Sequence, residues 1–476
     1  MSLFRQIRMV GLGQLVKILT QLISIFYLTQ LINPEDFGLI AMAAIVMNLA
    51  FLFNDLGLSS AIIQKQDISL SFYNLIYKIN MIVGFTMMFI VIIISPLISN
   101  YFSQPKLVFI LFLLSLSFPI MALSTVHKAS IEKDQNFKIT TNIEIFSSII
   151  ALSIAVVLAH SKLGVYSLVL QTLTFTIISS MLYRHHSKIN VKIQANSTDK
   201  KNSKDLLSFS SNIFLFNLVN YFTRNLDSLL IGKFFSAAIL GSYSIAYKIM
   251  LFPVQNITSI ITRVFLPHFS KNLDNIAQNR KTYFKSLKYI TMITAPLMLG
   301  LASVSYEFTD LFLRKEWFII GDILIWLAPT AILQAVISTT GTIFIAYAKT
   351  FWLFTLGIIG AILTSTAFGL GVFYDIKTLV LFYFISNIIN FFPCFYLAGK
   401  ILKFNVIYAL FFILKYTIPA IIMFVSLNFI SLEINFKNTT QSFLIKILIG
   451  IIIFTISFIT LNKKEIILLK NNIVKK

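Results

Sequence analysis

The amino-acid sequence predicts an all-α integral membrane protein of about fourteen transmembrane helices. Two parallel-repeat six-helix lobes would be followed by two C-terminal helices. Three observations predict this fold class. The chain is strongly apolar, it divides into runs of about 20 apolar residues, and its Lys and Arg residues concentrate in alternate joins between those runs. The runs are too long and too continuously apolar for the strands of a β-barrel.

The composition excludes several classes of protein. Of the 476 residues, 57% are hydrophobic and 12% are charged, about half the charged fraction of an ordinary soluble domain. A soluble chain of this size could not hide so much apolar surface from water. This excludes a soluble enzyme and a disordered chain. The lone Cys394 allows no disulfide within the chain, so a disulfide scaffold is also excluded.

The predicted spans follow one another closely, with short polar joins. The basic start of the chain is interpreted as part of a retained first span, because Lys17 interrupts the apolar run and no small-residue cleavage site follows. Pro34 lies in the first join, where it would interrupt a helix. The spans are expected at roughly 7–32, 37–63, 74–99, 107–127, 139–160, 163–183, 206–232, 237–265, 285–312, 319–346, 351–373, 378–399, 407–430 and 443–461.

The distribution of basic residues predicts the orientation. An even number of spans puts both termini on one side, and most of the 39 Lys and Arg residues fall in the joins and tails of that side. The positive-inside rule makes that side cytoplasmic. The net charge of +21 is thus explained by membrane topology, and we expect no nucleic-acid partner. The outer joins hold only Lys106, Lys162, Lys233, Arg314, Lys315, Lys377 and Lys437.

The domain organisation is predicted from one polar segment and a weak internal repeat. The N-lobe would occupy 1–185, a cytoplasmic linker 186–205, the C-lobe 206–400, and the last two spans with a cytoplasmic tail 401–476. An offset of 203 residues relates the starts of the two lobes, and because six spans separate them the repeats run parallel. It aligns Leu15-Val16 with Leu218-Val219, Thr20 with Thr223, Gly38 with Gly241, Ala43 with Ala246, and Met47 with Met250.

Three cations lie near the middle of predicted spans, where charge is expensive and is a sign of function. They are Lys17, Arg224 and Lys248. Either they line a water-filled cavity between the lobes, or they take part in structural ion pairs. Such cations would attract an anion, because arginine binds phosphate in a bidentate manner and lysine supplies a point charge.

Other polar residues surround these cations. Asp227 follows Arg224 by three residues and can pair with it on one helix face. Asp55 is a second carboxylate for pairing or for coupling to an ion, which would be a proton or sodium. No cofactor and no metal site are expected, since no catalytic, nucleotide-binding or metal-ligand motif is present. The remaining candidate lining residues are Gln14, Gln21, Asn217 and Asn220.

Several charges are predicted to be structural. Lys446 lies near the outer end of a span, where snorkelling to the interface would satisfy it. Glu144, with Glu132, Lys133 and Asp134 in the preceding join, is expected to form an ion-pair cluster at the inner membrane surface.

The chain resembles a known family, the Wzx-type polysaccharide repeat-unit flippases, in the WzxC/TuaB-like branch of the MOP exporter superfamily. The resemblance covers about 1–400. The motifs that carry it are Leu31-Ile32-Asn33-Pro34-Glu35-Asp36-Phe37-Gly38, Asn220-Tyr221-Phe222-Thr223-Arg224-Asn225-Leu226-Asp227, Leu240-Gly241-Ser242-Tyr243-Ser244-Ile245-Ala246-Tyr247-Lys248, Arg263-Val264-Phe265-Leu266-Pro267 and Glu316-Trp317.

The resemblance implies a MATE-like V of two lobes that flips an undecaprenyl-diphosphate-linked oligosaccharide across the bacterial inner membrane by alternating access. Membrane lipids are expected partners, and a polysaccharide polymerase and a chain-length regulator are further candidates. Two alternatives within the superfamily stay open, a lipid II flippase and a cation-coupled multidrug exporter. A membrane polysaccharide polymerase is a third alternative, although the joins are short for a catalytic loop.

Overall fold

Apolar α-helices make up most of the chain in a computed structural model, and the residues it describes contain no strand. The structure describes 19–55, 62, 69–134, 136–189, 191, 221, 225–271, 273–433 and 438–463. The chain divides into two compact units, Met1–Gly241 and Ser242–Lys476.

The first unit contains eight described helices and the start of a ninth. They are α1 (Leu19–Thr29), α2 (Pro34–Asp55), α3 (Leu70–Phe102), α4 (Lys106–Ser115), α5 (Ser117–Lys133), α6 (Phe137–His160), α7 (Val165–His186), α8 (225–234) and the first residues of α9 (Ala237–Lys271).

The second unit holds the rest of α9, seven further α-helices and one 3-10 turn. They are α10 (Ile276–Ser303), α11 (Ser305–Phe312), the 3-10 turn Lys315–Trp317, α12 (Ile319–Ala346), α13 (Thr350–Gly371), α14 (Ile376–Leu402), α15 (Val406–Glu433) and α16 (Thr439–Leu461).

The lengths of these helices test the predicted spans. Within the described residues, eleven helices or joined helices are long and apolar enough to cross a membrane, and α10 with α11 makes a twelfth if the bent pair is one span. The bend measures 73° and falls at Val304. The two other predicted spans, 7–32 and 206–232, are described only in part, over 19–32 in the first and over 221 and 225–232 in the second. The total of fourteen therefore stays a prediction.

Each unit packs its helices in the same internal pattern. In the first unit, α3 packs on α4 and α5, α5 packs on α7, and α7 packs on α6. In the second unit, α10 packs on α12, α12 on α14, and α14 on α13. These are corresponding spans in the two predicted repeats, so the repeat is visible in the packing as well as in the sequence. The two appended helices follow separately, with α15 on α10 and α16 on α15 and α11.

Polar side chains fix where several helices begin. Ser69 accepts a hydrogen bond from the backbone N–H of Phe72, and Asn275 accepts one from Gln278. Asp375 caps α14 by accepting from Thr378, 2.9 Å from its backbone nitrogen. The side chain and backbone N–H of Thr378 hold the pKa of the Asp375 carboxyl below its usual value. Each cap satisfies an N–H that the first turn of a helix leaves unpaired.

The join between α1 and α2 has a specific geometry. Pro34 occupies the first position of α2, where a backbone N–H would have no hydrogen-bond partner within the helix. Asp36, in the same turn, accepts a hydrogen bond from the backbone N–H of Val165 at the start of α7. Gly164 just before it has φ +53°, and a Cβ there would lie 2.6 Å from Asp36 Oδ2. The carboxylate therefore requires glycine at 164.

Two glycines related by the 203-residue offset meet in one contact. A Cβ on Gly38 would overlap the carbonyl oxygen of Ala237, and a Cβ on Gly241 would overlap the carbonyl oxygen of Pro34. Pro34 and Ala237 are themselves related by the same offset. The first turns of α2 and α9 thus touch backbone to backbone in a reciprocal way, which is the close approach that glycine permits between membrane helices.

We expect Gly38→Ala or Gly241→Ala to destabilise the protein, because the added Cβ meets a carbonyl rather than a flexible side chain. Overpacking of this kind costs roughly 1–3 kcal/mol. The measurement is the thermal unfolding midpoint of the purified protein in detergent. Gly357→Ala in α13 is the matched control, since nothing lies within 4 Å of its added Cβ. Equal midpoints for the three variants would contradict the contact.

Lys446 does not snorkel to the interface, so that expectation is wrong. Its ammonium pairs with Glu307 of α11, and the two side chains are only 6% and 14% exposed. The hydroxyl of Ser442 also donates to Glu307 at 2.9 Å. An enclosed ion pair with a supporting hydrogen bond ties α16 to α11, and this satisfies the ammonium without water.

Replacement of one partner of the Lys446–Glu307 pair should lower the free energy of unfolding far more than replacement of both. Lys446→Met leaves the Glu307 carboxylate without its ammonium, which should lower the free energy of unfolding by about 3–5 kcal/mol. The double variant Lys446→Met with Glu307→Gln should recover most of this loss. A double-mutant cycle of thermal midpoints measures this coupling. The exposed pair Arg314–Glu316, with side chains 39% and 48% exposed, is the control. A coupling energy between Lys446 and Glu307 no larger than that of this surface pair would disprove the enclosed ion pair.

Candidate functional site

The structure describes three of the predicted site residues with their side chains. These are Gln21, Asp227 and Lys248. Asp55 is the last residue of α2, but its side chain lies outside the described part. Gln14, Lys17, Asn217, Asn220 and Arg224 lie entirely outside the described residues. The pairing of Arg224 with Asp227 therefore stays a prediction.

Gln21 lies on α1 with its side chain exposed. One turn later, the hydroxyl of Ser24 lies 3.2 Å from Nε2 of Gln171 in α7, which donates to it. Gln21 and Ser24 are three residues apart and share a helix face. Gln21 and Ser24 therefore form a polar edge in the first turns of α1.

The 203-residue offset relates the polar residues of the two repeats, a signal that the alignment of identical residues alone did not include. It pairs Gln21 with Arg224 and Ser24 with Asp227. It also pairs Gln14 with Asn217 and Lys17 with Asn220. Both repeats therefore carry polar residues at the same positions of the sequence, but the chemical groups at those positions differ.

Asp227 is only 7% exposed. Its Oδ1 accepts a hydrogen bond of 2.6 Å from the backbone N–H of Ser228. A carboxylate enclosed in an apolar helix normally requires a nearby cation. Arg224, one turn earlier in sequence, is the residue predicted to supply it.

The segment that carries Asp227 is held firmly in the first unit. The hydroxyl of Tyr221 donates to the carbonyl of Ile45 in α2. At the other end of α8, Lys233 donates to the carbonyl of Tyr101 at 2.6 Å and lies 4.7 Å from the centre of the Tyr101 ring. A Cβ on Gly232 would lie 2.8 Å from the Phe102 ring. These contacts position the helix independently of any ligand.

Lys248 lies on the exposed face of α9. Ser244, Lys248 and Gln255 share that face and are partly or fully exposed, whereas Tyr243, Ala246 and Met250 are buried on the opposite face. Lys248 is about 17 Å along the helix axis from Ala237, which is about half the thickness of a hydrocarbon core. An exposed ammonium at that depth requires water or an anion rather than lipid tails.

A separate ion-pair cluster in the first unit contains two of its predicted members, Glu132 and Glu144, and its cation is Lys128. Lys128 lies 3.4 Å from Glu144 and 3.9 Å from Glu132, and Tyr183 donates to Glu144 at 3.5 Å. This cluster joins α5, α6 and α7. In the part of the chain that the structure describes, no three His, Cys, Asp or Glu side chains form a group that could hold a metal ion.

Comparison with known sequences identifies the family. Residues 27–320 match the family described as "Polysaccharide biosynthesis protein". The teichuronic acid biosynthesis protein TuaB of Bacillus subtilis (strain 168) is 28% identical over 368 residues, which is 74% of this chain and 73% of TuaB. The lipopolysaccharide biosynthesis protein WzxC of Escherichia coli (strain K12) is 26% identical over 339 residues, 69% of this chain and 66% of WzxC.

Comparison with solved structures identifies the fold. The lipid II flippase MurJ in an inward closed conformation superposes with a TM-score of 0.76 over 96% of this chain and 99% of MurJ, at 18% sequence identity. The predicted fold class is thereby confirmed as the MurJ- and MATE-like architecture of membrane transporters. The chain is thus a multi-pass membrane protein with a fold like that of MurJ, and it belongs to the polysaccharide biosynthesis protein family.

Proposed function

We propose that this protein is a flippase that moves undecaprenyl-diphosphate-linked oligosaccharide repeat units from the cytoplasmic to the outer leaflet of the bacterial inner membrane. Such units are precursors of O-antigen, capsule or exopolysaccharide. The observation that carries the proposal is a transporter fold along 96% of a chain whose family serves polysaccharide biosynthesis. The excess of Lys and Arg on one side supports cytoplasmic termini.

The chemistry of the substrate explains why the protein would need cations within its spans. A diphosphate loses its hydration when it leaves water, and its passage through hydrocarbon alone would be prohibitively costly. Lys248 presents an exposed ammonium near mid-depth, and Lys17 and Arg224 are assigned the same role. Arginine would grip phosphate oxygens in a bidentate manner, whereas lysine would neutralise charge without a fixed geometry.

Alternating access requires that the cations release the diphosphate on the outer side. Asp227 is suited to this step, because a carboxylate one turn from Arg224 can compete with phosphate for the guanidinium. Entry of a proton or a sodium ion at Asp227 or Asp55 would then change the charge balance of the site. In this scheme the ion gradient drives the cycle, and the polar lining from Gln14, Gln21, Asn217 and Asn220 keeps the sugar hydrated.

Deletion of the gene distinguishes this function from its alternatives. We expect loss of surface polysaccharide together with accumulation of undecaprenyl-linked repeat units on the cytoplasmic face. Both are measured in the same cells, by polymer staining and by mass spectrometry of lipid-linked intermediates. Lethality caused by blocked peptidoglycan synthesis would indicate a lipid II flippase instead. Sensitivity to cationic drugs with normal polymer would indicate an exporter, and single units on the outer face would indicate a polymerase.

Substitution of the cations should stop transport without preventing membrane insertion. Lys248→Met and Arg224→Ala should each lower surface polysaccharide about tenfold or more, since a charge-assisted hydrogen bond contributes roughly 1.5–3 kcal/mol. Lys248→Arg should retain much of the activity because it keeps the charge. Polymer is quantified at equal levels of membrane-inserted protein. Lys315→Gln, at an exposed outer position, is the control, and full activity of well-inserted Lys248→Met would remove Lys248 from the site.

A further inference from the structure

A cavity of about 800 Å³ lies in the second unit, away from any predicted site residue. It is formed by the first turns of α10, the turn between α14 and α15, and the first turns of α15. The cavity is lined by Ala277, Arg280, Lys281, Phe284, Lys285, Lys288, Lys403, Phe404, Asn405, Tyr408, Phe412 and Tyr416. Five of these residues are cations, and none of the described lining residues is acidic.

The cations form an ordered array. Lys281, Lys285 and Lys288 recur at spacings of four and three, so they share one face of α10. Lys403 approaches from the turn after α14, where it adopts a left-handed conformation with φ 54°. Arg280 donates to the carbonyl of Lys403 at 2.7 Å and ties this turn to α10. The array is therefore built into the fold without the help of a ligand.

Two helix N-termini add to the positive potential. α10 begins at Ile276 and α15 begins at Val406, and the first turns of both helices line the cavity. The positive end of each helix dipole favours an anion nearby. Several like charges on the wall of one cavity repel each other. The positive-inside rule requires basic residues on this side of the membrane but does not require that they converge in one cavity.

The remaining lining is aromatic. The Phe284 ring packs against Phe404, Tyr408 and Phe412 with centroid distances of 5.2, 5.1 and 4.8 Å. Lys288 lies 5.3 Å from the centre of the Tyr416 ring. Ile407 and Phe411, on the neighbouring surface of α15, are 59% and 66% exposed, as expected for side chains that contact lipid tails. Cationic groups thus stand directly beside an apolar outer surface.

We propose that this cavity binds the phosphate headgroup of an anionic lipid from the cytoplasmic leaflet. The phosphate would lie among Lys281, Lys285, Lys288 and Lys403, and the acyl or prenyl chains would follow the exposed face of α15. A soluble anion would use the cations but not the apolar face, and a zwitterionic lipid would bring a second cation into a basic cavity. This proposal does not depend on the proposed transport function.

The test is native mass spectrometry of the full-length protein with phosphatidylglycerol, phosphatidylcholine or undecaprenyl diphosphate. The variant carries Lys281→Gln, Lys285→Gln and Lys288→Gln. Its control carries Lys138→Gln, Lys188→Gln and Lys349→Gln, three exposed lysines from other inner segments, so that both lose the same charge. We expect the wild type and the control to bind anionic lipid more tightly than phosphatidylcholine, and the cavity variant to bind it at least about tenfold more weakly.

The outcomes separate the possible ligands. Preference for phosphatidylglycerol over undecaprenyl diphosphate would support a resident phospholipid, whereas the opposite preference would support a polyprenyl lipid. Equal binding of phosphatidylcholine, or equal weakening in the control, would overturn the proposal. Since Lys281 and Lys285 are exposed, single substitutions there provide milder variants in case the triple variant folds poorly. Each single variant should weaken binding by an intermediate factor, and unchanged binding in both would also overturn it.

Discussion

The absence of water around a membrane-spanning helix is the constraint on which this structure depends. Each charge in such a helix must find an opposite charge, a hydrogen bond or a wet surface. Lys446 meets this requirement with Glu307, and Asp322 meets it with Lys377 at 2.9 Å. Lys248 is the different case, since it is exposed near the middle of the span Ala237–Asn256. The same physical rule thus explains the ion pairs that hold helices together and the need of an exposed lysine at that depth for water or an anion.

The helical architecture could largely be predicted from the sequence because a membrane span leaves a local signal. The expected span 319–346 coincides with α12, and 351–373 differs from α13 by only a residue or two at each end. The 73° bend at Val304 was not predictable in this way. Pro296 lies inside the continuous helix α10, eight residues before the bend, so proline position alone does not locate it.

Contacts between distant residues account for most of what the sequence left undetermined. Snorkelling was a reasonable expectation for Lys446, since its position near a span end is local information, whereas its partner Glu307 is 139 residues away. The basic cavity has the same origin. The positive-inside rule accounts for Lys281, Lys285, Lys288 and Lys403 one by one, and only the packing of α10 against α15 brings them together. Lys248 can be proposed as a site residue from the sequence because a charge inside an apolar run is visible without knowledge of its neighbours, and its role stays a prediction.

The reciprocal contact of Gly38 and Gly241 has a consequence for how a duplicated gene can diverge. Each glycine accommodates a backbone carbonyl from the other repeat, at Ala237 and at Pro34. A side chain added at either glycine would push the two helices apart, so neither repeat can accept a larger residue at this crossing. Elsewhere in the repeat, the 203-residue offset pairs Gln21 with Arg224 and Ser24 with Asp227. Similar helix packing in the two repeats thus coexists with different charges, so the two copies share a framework without sharing the same chemistry.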